Sequence, residues 1–189
     1  MSSGRLTPPV SADDHIAGPD DAPITLVEYG DYECPYCGMA YPVVKAVQRE
    51  LGSRLRFVFR NFPLAETHPH ARHAAQVAEA AGAQGKFWEM HDMIFEHQQA
   101  LEDDDLIGYA RALGLDAERV ARELEAGSYA KRVRDNFRSG VRSGVNGTPT
   151  FFINGQRYDG SWMNDKKFAA ALLAAEEQAT PEVPLTAES

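Results

Sequence analysis

Cysteine is nearly absent: the chain of 189 residues has two, Cys34 and Cys37. If the pair is used for chemistry, none is left for a structural staple, so a secreted scaffold held by several disulfides is excluded. A structural zinc site wants four ligands, and there is no second cysteine pair to complete one. Long apolar runs are also missing. No segment approaches the roughly 18 consecutive apolar residues of a membrane span, and residues 1–21 contain no apolar core of an export signal. As it stands the sequence therefore reads as cytoplasmic; loss of a leader would instead make it periplasmic or otherwise extracytoplasmic. Positive charge is in deficit, 19 Lys and Arg against 28 Asp and Glu, for a net charge of -9. That balance argues against a nucleic-acid footprint and against docking on anionic lipid. No internal repeat is present.

The rest is ordinary for a globular protein, with 43% hydrophobic and 25% charged residues. The length suffices to bury a core as one domain, or as one domain with an insertion. The two cysteines are separated by two residues, in Cys34-Pro35-Tyr36-Cys37. Before them lies the apolar run Ile24-Thr25-Leu26-Val27-Glu28-Tyr29, a strand; after them Ala40, Val43, Val44, Val47 and Leu51 recur at helical spacing, with Gly52 at the stop. The motif thus sits where a strand hands over to a helix. At a helix start, two cysteines at this spacing can cycle between dithiol and disulfide. The unpaired N–H groups and the dipole there favour a thiolate on the first.

Three further features carry a family resemblance. Glu28 lies six positions before Cys34, Pro42 lies eight after it, and Gly144-Val145-Asn146-Gly147-Thr148-Pro149-Thr150 runs directly into an apolar strand. In this order they resemble the buried acid, the kinked active-site helix and the cis-proline loop of DsbA-like proteins of the thioredoxin superfamily. The resemblance covers about residues 22–178. One departure is that Asp31-Tyr32-Glu33 precedes the cysteines without the tryptophan usual in thioredoxins. The Pro-Tyr dipeptide also recurs in glutaredoxins and some disulfide isomerases.

In chain order, residues 1–22 read as an extended arm with an edge strand near Ile16. Leu55-Arg56-Phe57-Val58-Phe59-Arg60-Asn61 is a second strand, parallel to the first across the intervening helix. From Pro63 a helical pattern continues for about eighty residues, too long for a plain connection. Ala71 to Ala81 predict one helix closed by Gly82, and Phe87, Met90, Ile94 and Phe95 a second. A third runs from Asp103 to Leu113 before Gly114, and Asp116 caps a fourth ending near Gly127. Ser128 caps a fifth, carrying Tyr129, Val133, Phe137 and Val141; if the middle pair fuses there are four. Then come Thr150-Phe151-Phe152-Ile153, an Asn154-Gly155 hairpin turn, Arg157-Tyr158-Asp159, and a last helix over about residues 164–178 with Phe168 and Leu172 inward. The fold class is α/β. The resemblance makes it a thioredoxin-like mixed sheet flanked by helices, residues 23–62 and 145–178, with an inserted all-helical domain at 63–144 and a polar tail at 179–189.

The resemblance implies a thiol-disulfide oxidoreductase acting on protein cysteines, with a redox partner of unknown identity. Cys34, the more exposed sulfur, would be the nucleophile and Cys37 the resolving thiol, with Glu28 shuttling its proton. Pro35, Tyr36, Thr148 and Pro149 would form the active-site loop and bind an extended substrate backbone. No cofactor and no metal are implied beyond the cysteine pair. A glutathione-linked enzyme of glutaredoxin type and a non-enzymatic binding module stay open as alternatives. Bland readings stand beside each residue: core thiols or half a metal site for the cysteines, a solvent-facing strand end for Glu28. His68, His70 and His73 have no carboxylate or thiol at ligand spacing, and His91 and His97 fall on different helix faces. All are read as structural or surface residues. Phe87, Trp88, Met90 and Phe95 read as core, and Arg132, Arg134, Arg138 and Arg142 as a solvated face.

Overall fold

The computed structural model describes residues 4–179. Residues 1–3 of the expected arm and residues 180–189, most of the expected polar tail, lie outside the described residues. Five strands form one mixed sheet in the order β1-β3-β2-β4-β5: β1 (Ile16–Ala17), β2 (Ile24–Gly30), β3 (Leu55–Asn61), β4 (Thr150–Ile153) and β5 (Gln156–Tyr158). β2 and β3 are parallel, joined through α1 (Pro35–Leu51), whereas β4 runs antiparallel to β2 and β5 antiparallel to β4. The expected hairpin turn forms at Asn154 and Gly155, both at positive φ (48° and 82°).

β2 is central, so it is buried on both faces. Because side chains alternate, Ile24, Leu26 and Glu28 share one face, toward α1 and the larger core, while Val27 and Tyr29 join Val58, Phe62 and Phe152 on the other. Neither face of the strand reads as polar in the sequence, which is why the placement of Glu28 had to come from the fold. Helix α7 (Asp165–Ala179) closes the α1 side of the sheet through Phe168, whose ring lies 5.0 Å from that of Phe151.

Five helices are inserted between β3 and β4: α2 (Ala71–Ala83), α3 (Phe87–Glu96), α4 (Asp103–Ala112), α5 (Ala117–Ala126) and α6 (Ala130–Arg142). Phe87, Met90 and Phe95 are buried in α3, with Trp88 packed against them and 5.5 Å from the Phe57 ring. This is a core face, as the spacing implies. Asp116 caps α5, accepting from the Arg119 N–H at 2.9 Å, and Gly127 ends it in the left-handed conformation.

Other local expectations need correction. Gly82 does not close α2; the helix runs through it and the left-handed residue is Gly85. Ser128 does not cap α6, which starts after Tyr129 without a side-chain cap; of the apolar residues the helix carries, Val141 is exposed. Arg132 leaves the solvated face expected for it and meets the buried Glu79 carboxylate at 2.6 Å. The arm, too, is part of the fold. Leu6 is buried, its N–H donates to Gly155 O at 2.9 Å, and Arg60 reaches back to the Pro8 and Pro9 carbonyls and forms a two-pronged pair with Asp14.

Candidate functional site at the start of the first long helix

β2 ends at Gly30, and the chain turns through Asp31, Tyr32 and Glu33 into α1. Cys34 is the N-cap, with extended backbone (φ -67°, ψ 123°), and Pro35 is the first helical residue. Proline at that position loses nothing, because its N–H would have no partner inside the helix. The N–H groups of the first turn that lack such partners point at the Cys34 sulfur instead. Both cysteines are free thiols and both are buried: Cys34 keeps 4% of its surface and Cys37 none. Cys34 is therefore the more exposed sulfur, but only by a margin; the exposed part of the motif is Pro35 and Tyr36, with Met39 beside them.

The two thiols are pushed apart in acidity. The hydrogen bond from the Cys37 thiol is the largest influence lowering Cys34, to about 5; burial opposes it, and the Thr148 hydroxyl and the N–H groups of Cys37 and Tyr36 assist. Burial, above all, drives Cys37 well above the usual thiol range. Its bond to Cys34 and the negative charges of Glu28 and Cys34 act in the same direction, while the Asp31 N–H, 3.4 Å from its sulfur, partly opposes them. Desolvation raises Glu28 to about 8, with the Cys34 charge adding to the effect. Its Oε1 is buried without a hydrogen-bond partner among the described residues. The carboxyl opens on a small cavity also lined by Lys45, Gln48 and His91.

Pairing of Tyr29 with Thr150 places the segment before β4 just beyond the end of β2, against the cysteines. The Thr148–Pro149 peptide bond is cis, and the Cys34 thiol donates to Thr148 O at 3.6 Å. Thr150 Oγ1 donates to Gly147 O at 2.7 Å and holds the loop's shape. All seven residues singled out for the site, Glu28, Cys34, Pro35, Tyr36, Cys37, Thr148 and Pro149, thus lie at this end of the sheet.

Three residues that the motif alone did not reveal lie there as well. Asp31, fully buried, accepts from the N–H groups of Glu33, Cys34 and Leu64 and pairs with His68 Nδ1 at 2.8 Å. An acid three residues before a helix-capping cysteine is a legible turn signal for Asp31; His68 carries none. Gln98 donates from Nε2 to Tyr32 O (2.8 Å) and Cys34 O (3.0 Å), bolting the helical insertion to the turn. The remaining histidines scatter: His91 is buried against the Tyr32 hydroxyl, His73 pairs with Asp103, and His97 meets the Met93 carbonyl. Among the described residues no three His, Cys, Asp or Glu side chains form a group that could hold a metal ion. No helix there is long and apolar enough to cross a membrane.

Known proteins share this architecture. The oxidised BdbD of Bacillus subtilis superimposes with a TM-score of 0.78 at 21% identity, covering 94% of this chain and 95% of that one. A thioredoxin-like oxidoreductase from Silicibacter pomeroyi gives 0.77 at 26% identity, covering 88% and 94%. Among curated proteins, Na(+)/H(+) antiporter NhaA 1 of Salinispora arenicola is 47% identical over 171 residues, 90% of this chain but 26% of that protein. The chain therefore spans about a quarter of the length of the curated relatives it matches. The mixed sheet with helices inserted between β3 and β4 is a DsbA-like fold, as in alpha-DsbA1 of Wolbachia pipientis (TM-score 0.78, 18% identity), and because the sequence model of the family described as Thioredoxin matches residues 11–173, the chain belongs to the thioredoxin superfamily.

Proposed function

We propose that the protein is a thiol-disulfide oxidoreductase acting on protein cysteines. One observation carries the reading: two free thiols sit at one helix start with the Cys34 sulfur against the cis Thr148–Pro149 loop, in surroundings that lower Cys34 to about 5 and raise Cys37 well above the usual range. A nucleophile must be ionised at working pH and accessible to substrate, whereas a resolving thiol must wait until it is needed. In the reducing direction the Cys34 thiolate attacks a substrate disulfide, forming a Cys34–substrate bond and expelling the other substrate sulfur as thiolate. Cys37 then gives its proton to the Glu28 carboxylate and attacks the Cys34 sulfur. The second substrate thiolate leaves, and the Cys34–Cys37 disulfide holds the electron deficit of two. In the oxidising direction every step reverses, and the protonated Glu28 supplies the proton that Cys37 takes as it leaves. With its pKa near 8, Glu28 can serve in either sense around neutral pH.

The cysteine pair itself carries the two electrons, and a second thiol-disulfide couple must reset it. Pro35, Tyr36 and the Thr148–Pro149 loop would frame an extended substrate, the Thr148 backbone pairing with it as a short added strand. Antiport, the activity named for relatives of which the match spans only 26%, is not assigned to this chain, whose free cysteine pair supports redox chemistry instead. Trapping tests the proposal. With a disulfide-bonded protein substrate, Cys37→Ser accumulates a mixed disulfide on Cys34 and Cys34→Ser does not; equal trapping by the two variants refutes the division of roles. Turnover with glutathione far above that with protein disulfides would favour the glutaredoxin type instead.

A further inference from the structure

The exchange just described, on which this inference rests, leaves without a task the buried ionisable pair that lies beside Cys34, Asp31 and His68. The Asp31 side chain is 0% exposed and fully engaged: Oδ1 accepts from the N–H groups of Glu33 (2.8 Å) and Cys34 (3.2 Å), while Oδ2 accepts from Leu64 N–H (2.8 Å) and faces His68 Nδ1 (2.8 Å). Its own N–H donates to the Cys37 sulfur at 3.4 Å. One carboxylate therefore ties the turn before α1 to the loop after β3 and holds the Cys34 N–H, while the backbone of the same residue reaches the Cys37 sulfur.

That arrangement poses an electrostatic problem. A buried negative charge bonded to the N–H of Cys34 opposes a second negative charge on the Cys34 sulfur, and low-dielectric surroundings make the opposition stronger. The Pro35-Tyr36 dipeptide brings no cation to offset it. His68 does, because an imidazolium against Oδ2 makes the pair neutral overall. The groups that face His68 are Asp31 and Glu33 from the turn and Cys34 from the head of α1. Burial disfavours the charged ring, but the bond and charge of Asp31, then the charges of Cys34 and Glu33, outweigh it and raise its pKa. With 15% of its side chain exposed, the ring can still exchange protons with solvent.

We propose that His68, held as an imidazolium by Asp31, is a positioning and charge-balancing residue for the Cys34 thiolate, so that a side chain outside the Cys-x-x-Cys motif tunes the redox poise of the pair. Stabilising the thiolate stabilises the reduced protein and makes the disulfide more oxidising. When His68 loses its proton, the Asp31 charge is uncovered and the balance reverses.

Thiolate absorbance against pH and equilibration with glutathione test this on the full chain, comparing the parent with His68→Gln and His68→Arg. His68→Gln is expected to raise the Cys34 midpoint by about one unit and to shift the glutathione equilibrium about tenfold toward the disulfide, or about 30 mV more reducing. His68→Arg keeps the charge and should retain the low midpoint. A reciprocal measurement needs no change at His68: in Cys34→Ser, NMR titration should show the His68 ring losing its proton at lower pH than in the reduced parent, because coupling between sites is mutual. An unchanged Cys34 midpoint in folded His68→Gln, or an unmoved His68 titration in Cys34→Ser, overturns the inference and leaves the exchange chemistry standing. A parent Cys34 that titrates like a free thiol overturns both.

Discussion

Replacing Glu28 by Gln should make the protein more stable and a worse catalyst, and the size of the first effect follows from burial. Glu28 is raised from the usual 4.5 to about 8, first by desolvation and then by the Cys34 charge. The folded state therefore binds a proton that the unfolded chain releases between those two values. Stability is complete below pH 4.5 and falls by about 1.4 kcal/mol per pH unit as pH rises toward 8, where the loss levels off. At pH 7 the accumulated cost is about 3 kcal/mol; at pH 5 it is below about 1 kcal/mol. Gln keeps the shape without titrating, so Glu28→Gln should gain up to about 3 kcal/mol at pH 7 and little at pH 5. The gain should be smaller in the oxidised protein, where the Cys34 charge is gone. Urea titrations of both redox forms at pH 5, 6, 7 and 8 read this directly. Resolution of a Cys34 mixed disulfide should slow on the order of 10²-fold, the lower end for loss of a general acid-base group. A variant no more stable than the parent at pH 7, or one whose advantage does not shrink toward pH 5, refutes the reasoning.

The Cys34 thiolate should appear with a midpoint near 5 in absorbance titrations of the reduced protein, and a midpoint above about 8 would remove the proposed nucleophile. The same lowered acid links redox state to stability. Its contribution is complete above the unfolded thiol value and fades as pH falls through the folded value of about 5. The stability of the reduced form relative to the oxidised form should thus rise by about 1–2 kcal/mol from pH 5 to pH 7, after allowance for solvent screening; a flat difference in denaturant titrations counts against it. In Gly38→Ala, the added Cβ would lie 2.0 Å from Gln98 Oε1, so Gln98 must give up its bonds to Tyr32 O and Cys34 O. Two lost bonds, less the helix preference of alanine, predict a net loss of about 1–2 kcal/mol in a melt, whereas an unchanged melt would show that the bolt carries no load.

The chain by itself determined the elements and the chemistry that depends on local geometry. Cys34 and Cys37 are neighbours because two residues separate them at a strand-to-helix junction, and no long-range packing is needed to bring them together. The alternating strands, the parallel β2–β3 pair and the Asn154-Gly155 turn likewise follow from spacing and from residue types with restricted backbones. Helix ends were less legible. α2 runs on past Gly82 and α6 starts after Tyr129 with no side-chain cap, so Gly82 and Ser128 do not mark those ends, whereas Asp116, whose cap is a local hydrogen bond, marks its own. What tertiary structure alone decided is charge and solvation. Glu28 looks like any acid in a strand until β3, β4 and α1 bury it, and only then does desolvation raise it to about 8. His68 and Gln98 lie far from the motif along the chain, at the end of a loop and beyond a helix. The inserted helices and the β3–α2 loop must pack against the turn at Asp31 before either side chain can act on Cys34. The short motif brings the two thiols together and lowers Cys34 through Cys37; the burial that only tertiary packing imposes raises Cys37 and Glu28.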